Sequence, residues 1–420
     1  MGHPPVSDAR RSLILAASLA LVAFTPRHRT PRPAASPATP PSPTATFPFV
    51  YDDGRVFIPV RLAHDTAPQW FILDTGVPEG IVVDAGTAAR LNLGVKDAGT
   101  VTGAGLHEMH TGHADPVSVS IGGVPLSPPF IAVAPLDSLL FPYSGIHAPG
   151  AIGSQFFFEH VVELDFDAHV LRAYDPATYV YHGPGTILPL TFLGTAPALS
   201  GTLTLPGGAR RAVHLIADLG AKATLLVAEP FIRANGLREA FPRQMRTVLG
   251  SGVGGETRYD FVRVPSLALG PQGQVEIREF VAGLSVEGTL KSDQYDGLLG
   301  AEFFSRRLVI FDYSRKQLIL APRPAAPPLA EADMSGIYLK RIGGDAGRVV
   351  VHHLVPDSPA DRAGVRTGDV VERVNGTVPS GTSLWPWRSA LRSGDGDTVT
   401  VTIDRAGEHR VTKFVLRKLV

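Results

Sequence analysis

Two aspartates stand in the same short sequence context in two parts of the chain. Asp74 lies in Phe-Ile-Leu-Asp-Thr-Gly and Asp218 lies in Leu-Ile-Ala-Asp-Leu-Gly, so each follows an apolar run and precedes a glycine by one residue. A carboxylate in this position lies on a tight loop, and the glycine lets a second such loop approach closely. Two adjacent carboxylates do not both ionise readily, so one keeps a proton while the other is a base. Such a pair can activate a water molecule to attack a carbonyl carbon. The repeated aspartates therefore predict a hydrolytic reaction.

The residues around the aspartates also repeat. Gly-Ala-Ile-Gly153-Ser-Gln-Phe-Phe recurs as Gly-Leu-Leu-Gly300-Ala-Glu-Phe-Phe, and Glu-Leu-Asp165-Phe recurs as Ile-Phe-Asp312-Tyr. The offsets agree, since 300 − 153 = 147 and 312 − 165 = 147. A shared spacing predicts two copies of one structural unit. Asp165 and Asp312 stand in strand-turn-strand patterns, so we interpret them as residues that shape hairpins.

Residues 49–322 consist of short apolar runs. Val, Ile, Leu and Phe alternate with other residues in runs such as Arg55–Arg61 and Pro116–Gly122, and Gly, Pro or Asp interrupts them. Alternation with frequent turn residues predicts β-strands. Short helices fit only at Ala85–Leu93 and Ala228–Leu237, which are corresponding places in the two copies. The sequence therefore predicts a mostly β region.

Together these motifs resemble the pepsin- and retropepsin-like aspartyl proteases. The resemblance spans residues 49–322 and rests on the Asp-Thr-Gly loop, a glycine-rich segment after it (105 − 74 = 31) and the two hydrophobic-hydrophobic-Gly motifs. It implies a bilobal, acid-protease-like double β-barrel, an aspartic-type endopeptidase activity on polypeptide substrates, and no metal or cofactor. The residues that it implicates are the catalytic pair Asp74 and Asp218, the loop-supporting Thr75, Gly76 and Gly220, and the flap residues Gly103, Gly105, Gly250 and Gly252.

Leu219 departs from this pattern, because the family has Thr or Ser at this position. A leucine cannot make the hydrogen bond by which that hydroxyl stiffens the opposite loop, and one lost contact typically costs on the order of 1 kcal/mol. Two alternatives to the peptidase therefore stay open. One is an inactive peptide-binding or scaffold protein with a degenerate second loop. The other uses Asp74 alone through homodimerisation, with the second copy structural.

The C-terminal part of the chain resembles a PDZ domain of the bacterial protease-associated type. Ser358–Gly376 combines a helix with a capping serine, a glycine stop, a buried strand and an Asn-Gly turn. The resemblance covers residues 334–420 and implies a small α+β domain that binds protein C-termini as an added strand. The alternative is that this domain serves only packing or dimerisation and binds no peptide. The implied peptide-binding residues are Gly336, Ile337, Tyr338 and Leu339, with a groove helix at Ser383–Leu391.

Composition excludes several other classes of function. The chain has 420 residues with 39 basic and 39 acidic side chains, so no overall charge favours nucleic acid or an anionic membrane. It has no cysteine, which excludes disulfides and thiolate chemistry. His107, His110 and His113 are spaced by three in a strand-like segment and do not fit a helical zinc pair. The glycines at 250–255 precede a strand-like segment, so they do not indicate dinucleotide binding.

The N-terminus predicts export. Arg10-Arg11 precede an apolar stretch, Leu13–Phe24, that is shorter than the ~20 residues a membrane-spanning helix needs. We expect a periplasmic or secreted protein, with an N-terminal membrane tether as the alternative to a cleaved signal. The predicted order is a signal peptide or anchor (1–25), a Pro-rich linker (26–48), two protease lobes (49–187 and 188–322), a linker (323–333) and the PDZ domain (334–420).

Overall fold

A computed structural model describes residues 42–78, 80–101, 105, 107–286 and 290–420 of this chain. Within these residues the predicted fold class is confirmed: the chain is mostly β, with two β-barrel lobes followed by a PDZ domain. The predicted signal or anchor, most of the Pro-rich linker and the flap residue Gly103 lie outside the described residues. No helix in the described ranges is long and apolar enough to cross a membrane.

The first copy of the repeat, called the N-lobe here, is built from β1 to β13 and three helices. Strand β3 is buried along most of its length in the core. The Asp84 carboxylate caps α1 by accepting hydrogen bonds from Gly86 N and Thr87 N. The elements are β1 (Ala45–Pro48), β2 (Val50–Asp52), β3 (Arg55–Leu62), β4 (Gln69–Leu73), β5 (Ile81–Asp84), α1 (Ala85–Arg90), β6 (Lys96–Val101), β7 (Met109–Ala114), β8 (Val119–Ile121), β9 (Val124–Leu126), β10 (Ile131–Ala134), α2 (Leu136–Ser144), β11 (Gly150–Ile152), α3 (Ser154–Glu159), β12 (Val161–Asp165) and β13 (Val170–Tyr174).

The second copy, the C-lobe, repeats this plan with longer strands. Its main sheet has the order β15-β16-β17-β22-β18-β21-β20-β19. The elements are β14 (Thr186–Pro189), β15 (Thr191–Leu193), β16 (Ala196–Thr204), β17 (Arg210–Asp218), β18 (Leu225–Val227), α4 (Glu229–Ala234), α5 (Leu237–Ala240), β19 (Met245–Gly252), β20 (Gly255–Leu269), β21 (Val275–Ser285), β22 (Gly297–Gly300), α6 (Ala301–Phe304), β23 (Arg307–Asp312) and β24 (Gln317–Pro322).

A six-stranded sheet of order β1-β13-β12-β23-β24-β14 joins the two lobes. In its centre β12 pairs antiparallel with β23, and Glu163 lies opposite Ile310. These two residues are separated by the repeat offset, 310 − 163 = 147, so the pseudo-twofold axis of the duplication passes between them. Asp165 and Asp312 lie at the ends of these strands, where each carboxylate accepts hydrogen bonds from the residues of the following turn.

The joining sheet corrects two predicted boundaries. The Pro-rich linker was expected to extend to residue 48, but Ala45–Pro48 form β1, because they pair with β13 and bury Phe47 in the core. The boundary between residues 187 and 188 falls inside β14, which pairs with β24. Both strands belong to the sheet that joins the lobes. The change in composition at residue 49 therefore does not coincide with the start of this sheet.

Helices occur at both predicted places, but not only there. α1 occupies most of Ala85–Leu93, while α4 and α5 divide the region around Ala228–Leu237. The prediction that no other short helix fits was wrong, because α2, α3 and α6 are also present. α2 was missed because it has Pro135 at its N-cap without a side-chain cap and contains Pro142, features that normally argue against a helix.

The PDZ domain is a five-stranded sheet of order β25-β26-β27-β28-β29 with two short helices and its own core. Ser358 caps the first helix by accepting a hydrogen bond from Asp361 N, and Asn375 and Gly376 both have positive φ in the turn after β27. The elements are β25 (Ile337–Ile342), β26 (Arg348–Leu354), α7 (Pro359–Arg362), β27 (Val370–Val374), α8 (Trp385–Ala390), β28 (Thr398–Arg405) and β29 (Glu408–Val415). β25 is an edge strand, so one of its sides faces the groove that α8 borders.

Candidate active site

Each aspartate lies at the C-terminal end of a strand that is held in place by a parallel partner. β4 ends at Leu73 and runs beside β11, whose Ile152 carbonyl accepts a hydrogen bond from Asp74 N at 2.9 Å. β17 runs beside β22 with Asp218 opposite Gly300. The partners β11 and β22 are the two hydrophobic-hydrophobic-Gly motifs, and their buried apolar residues fix the strands on which the aspartates depend.

The two loops bring the carboxylates together. Asp74 and Asp218 are in side-chain hydrogen-bonding contact with each other. Each also accepts a backbone hydrogen bond of 2.8 Å from the glycine of its own loop, Gly76 or Gly220. A β-carbon at Gly220 would overlap the Asp74 carboxylate, and one at Gly76 would lie 3.1 Å from Asp218 Oδ1. The approach of the opposite carboxylate therefore requires glycine at Gly220, and at Gly76 a side chain would crowd that carboxylate.

Burial makes ionisation of this pair unfavourable. It raises the pKa of Asp218 well above the usual range, and the neighbouring charge of Asp74 raises this pKa further. Burial also raises the pKa of Asp74, although the hydrogen bond from Gly76 N, the contact with Asp218 and the charge of Arg55 oppose that shift. The pair therefore retains one proton at a pH where an isolated aspartate would be ionised.

Thr75 joins the two loops below the carboxylates. Its buried hydroxyl donates to the Ala217 carbonyl at 2.6 Å and accepts from Leu219 N at 2.9 Å. Leu219 has no hydroxyl and cannot make the equivalent hydrogen bonds to the first loop. Its side chain is fully buried in the main apolar core. One half of the symmetric contact is therefore present, and packing replaces the other half.

Apolar walls flank the pair on both sides. Ile72 lies two residues before Asp74 and therefore on the same face of the chain; it packs with Phe57, Ala148 and Ala151. The other residues of this wall are Val77, Leu136, Leu140 and Ile146. Ile216 has the same relation to Asp218 and packs with a second apolar cluster that includes Leu226, Tyr259, Phe261 and Leu298.

Hairpins from both lobes meet above the loops. The hairpin β6–β7, called the N-flap, and the hairpin β19–β20, called the C-flap, are joined at their tips, where Gly105 N donates to the Val253 carbonyl at 2.7 Å and His107 N to the Gly254 carbonyl at 2.9 Å. The predicted flap residues Gly250 and Gly252 lie in strand β19 and precede this tip. Gly105 lies at the junction itself.

An ion network connects three parts of the chain beside the site. The buried Asp53, at the turn between β2 and β3, pairs with Lys222 just after the second aspartate loop and, at 2.7 Å, with Arg388 of the PDZ helix α8. Although burial opposes ionisation, Lys222 and Arg388 hold the pKa of Asp53 below its usual range. Sequence reasoning missed these residues, because none of them stands in a motif.

The other predicted site residues are placed as follows. Gly336 has a positive φ and its missing side chain makes room for Ser358, while Ile337, Tyr338 and Leu339 lie on the edge strand β25. The groove helix expected at Ser383–Leu391 is α8, and Pro386 fits because it stands in the first turn, where its missing N–H has no partner to lose. Nowhere in the described part of the chain do three His, Asp or Glu side chains gather in a way that could hold a metal ion.

Two comparisons with known proteins found similarity. A PDZ domain family model matches residues 350–405. Among solved structures, the chain is similar to the crystal structure of an aspartic proteinase from Irpex lacteus, with 15% sequence identity and a TM-score of 0.43 over 67% of this chain and 97% of that chain. No curated protein matches the sequence. The assignment of the two lobes comes from the strand order and the repeated aspartate loops of the chain itself. The C-terminal part of the chain is a PDZ domain.

Proposed function

We propose that the chain is an aspartic-type endopeptidase. The observation that carries this proposal is the contact between the buried carboxylates of Asp74 and Asp218, where burial and the charge of Asp74 raise the pKa of Asp218. In the proposed reaction Asp74 takes a proton from water, the water oxygen attacks the peptide carbonyl carbon, and Asp218 donates its hydrogen bond to the carbonyl oxygen as charge develops. The departing amine then takes the proton that Asp74 accepted from the water, and the C–N bond breaks. The apolar walls suit an extended substrate with apolar side chains.

Two observations support the peptidase over the alternatives. Leu219 does not leave the loops unjoined, because Thr75 makes both hydrogen bonds from its own side. The position opposite Asp74 is occupied by Asp218 of the same chain, so a second copy is not required to supply a carboxylate. The inactive scaffold stays the runner-up, and the cleavage test decides between them.

The test is cleavage of an internally quenched peptide pool between pH 3 and pH 8. We expect Asp74→Asn and Asp218→Asn each to abolish cleavage, because each removes one member of the acid and base pair. Asp115→Asn is the matched control, since it neutralises an exposed carboxylate that pairs with Lys96 on the surface. Cleavage that survives both site substitutions would exclude this mechanism, and loss in Asp74→Asn alone would favour the homodimer.

We further propose that the PDZ domain binds the C-termini of substrates or partners, and that the protein is exported through its N-terminal apolar stretch, to the periplasm or outside the cell. The PDZ match and the free edge of β25 support the first proposal. Export rests on Arg10-Arg11 and Leu13–Phe24 alone. Cell fractionation and mass spectrometry of the mature N-terminus test it, and full-length protein retained in the cytoplasm would contradict it.

A further inference from the structure

The PDZ groove is the channel between the edge strand β25 and helix α8. In this structure the last turn of α2, Tyr143–Gly145, lies at this channel. Leu384 N, at the start of α8, donates a hydrogen bond to the Ser144 carbonyl at 2.8 Å. Gly145 packs so closely that any side chain there would overlap the Thr382 carbonyl. A segment of the N-lobe is therefore seated against the groove helix.

The strand side of the groove is engaged as well. Arg388 of α8 reaches across the groove, where it donates to the Tyr143 carbonyl and, at 3.4 Å, to the Leu339 carbonyl of β25. Lys340 of β25 lies over the Tyr143 ring at 4.7 Å and donates to the Tyr143 hydroxyl at 3.2 Å. A peptide that adds as a strand needs the backbone edge groups of β25. Arg388 holds one of them, the Leu339 carbonyl, and Tyr143 contacts the side chain of the adjacent Lys340.

Tyr143 also connects the groove to the flaps. Its hydroxyl donates to Glu256 Oε2 of the C-flap at 3.1 Å, and PDZ residue His352 contacts the same oxygen at 2.8 Å. Leu136 and Leu140, earlier in the same helix, belong to the apolar wall beside Asp74. One helix thus contacts the groove, the C-flap and the wall of the candidate active site.

We infer that α2 is an internal occupant of the PDZ groove, and that a peptide with a free C-terminal carboxylate displaces Tyr143–Gly145 and increases cleavage by releasing the C-flap. This inference rests on the proposed peptidase function. A cavity of about 100 Å³ beside the groove, lined by residues that include Ile337, Arg388 and Arg392, gives room for the C-terminal residue of the peptide. An aliphatic last residue suits Ile337.

The first experiment measures binding without cleavage, in the Asp218→Asn chain. The probe is a fluorescein-labelled decapeptide pool that is random except for a C-terminal valine, and the same pool with an amidated C-terminus is the control. Tyr143→Ala removes the occupant's ring and hydroxyl, whereas Tyr143→Phe keeps the ring and loses only the bonds to Glu256 and Lys340. We expect the carboxylate pool to bind at least tenfold more tightly to the Ala variant than to the chain that keeps Tyr143, with the Phe variant between them.

Equal affinities for the three chains, or equal affinities for the acid and amide pools, would overturn the inference. The second experiment measures cleavage of the quenched peptide by the chain with both aspartates. The carboxylate pool should raise its rate severalfold, and Tyr143→Ala should be fast without the pool. Cleavage at the same rate with and without the carboxylate pool would refute the coupling between the PDZ groove and the C-flap. Tighter binding by Tyr143→Ala in a chain that never cleaves would uphold the occupied groove and refute the peptidase.

Discussion

The Thr75 hydroxyl bridges Ala217 O and Leu219 N of the opposite loop, and Leu219 makes no bridge in return. The two aspartate loops are thus held by one threonine rather than by a symmetric pair. The buried Leu219 side chain contributes packing at the equivalent place. This asymmetry makes Thr75 a polar link on which the spacing of the two carboxylates depends.

Replacing Thr75 by alanine should therefore weaken both the fold and the reaction. We expect Thr75→Ala to lower the free energy of unfolding by about 1–3 kcal/mol, because two buried hydrogen bonds are lost and Leu219 N is left without its acceptor. Cleavage should fall on the order of tenfold or more as the carboxylates lose their spacing. Urea unfolding and kcat/KM are the measurements. Thr75→Ser, which keeps the hydroxyl, should restore most of both; equal losses in Ser and Ala would refute the role of the hydroxyl.

A side chain at Gly220 should separate the carboxylates while the lobes stay folded. The added β-carbon of Gly220→Ala would collide with the Asp74 carboxylate, so we expect kcat/KM to fall on the order of 100-fold. Gly94→Ala is the matched control, because a β-carbon there meets no atom within 4 Å. Far-ultraviolet circular dichroism should show both variants folded. A fully active Gly220→Ala enzyme would contradict the close approach of the loops.

Sequence patterns predicted the aspartate loops because the loops have strict local requirements. Asp-x-Gly and the hydrophobic-hydrophobic-Gly motifs need glycine where backbones or carboxylates approach, so both copies keep them in register. The meeting of Asp53, Lys222 and Arg388 could not be predicted in this way, because they come from distant parts of the chain and each is a common residue type. The contact of α2 with the PDZ groove could not be predicted either, because the two segments are far apart in the sequence.

The raised pKa of Asp218 predicts a stability that depends on pH. Burial and the charge of Asp74 raise this pKa from 3.8 to about 8, so the folded chain binds more protons than the unfolded chain between these values. This contribution to stability is complete below pH 4 and is lost as pH rises through 8. The amide introduced by Asp218→Asn cannot ionise, so this variant should gain stability relative to wild type from pH 4 to pH 8.

Urea unfolding at pH 4, 6 and 8 measures this gain. Asp115→Asn, which changes an exposed carboxylate, should follow the wild-type trend. A constant difference between Asp218→Asn and wild type across this range would mean that Asp218 ionises normally in the folded chain.

The Asp53 network should contribute strongly to the attachment of the PDZ domain. Asp53→Asn leaves Lys222 and Arg388 without their buried counter-charge, and removing one partner of a buried ion pair typically costs about 3–5 kcal/mol. Because the pKa of Asp53 is lowered in the fold, its contribution is present above pH 4 and is lost as pH falls. Thermal unfolding at pH 7 measures the loss. Arg362→Ala, a change at an exposed PDZ arginine, should have little effect; equal effects of the two substitutions would refute the network.

The protonation of the aspartate pair is measured by carboxyl NMR of the chain labelled with ¹³C-aspartate, titrated from pH 3 to pH 9. We expect the carboxyl group whose signal is missing from Asp218→Asn to stay protonated at pH 7 in the wild-type chain. We also expect Asp74→Asn to shift this titration, because the two groups share the proton. Two aspartates that both ionise near pH 4, with neither affected by substitution of the other, would contradict the shared proton and with it the proposed hydrolysis.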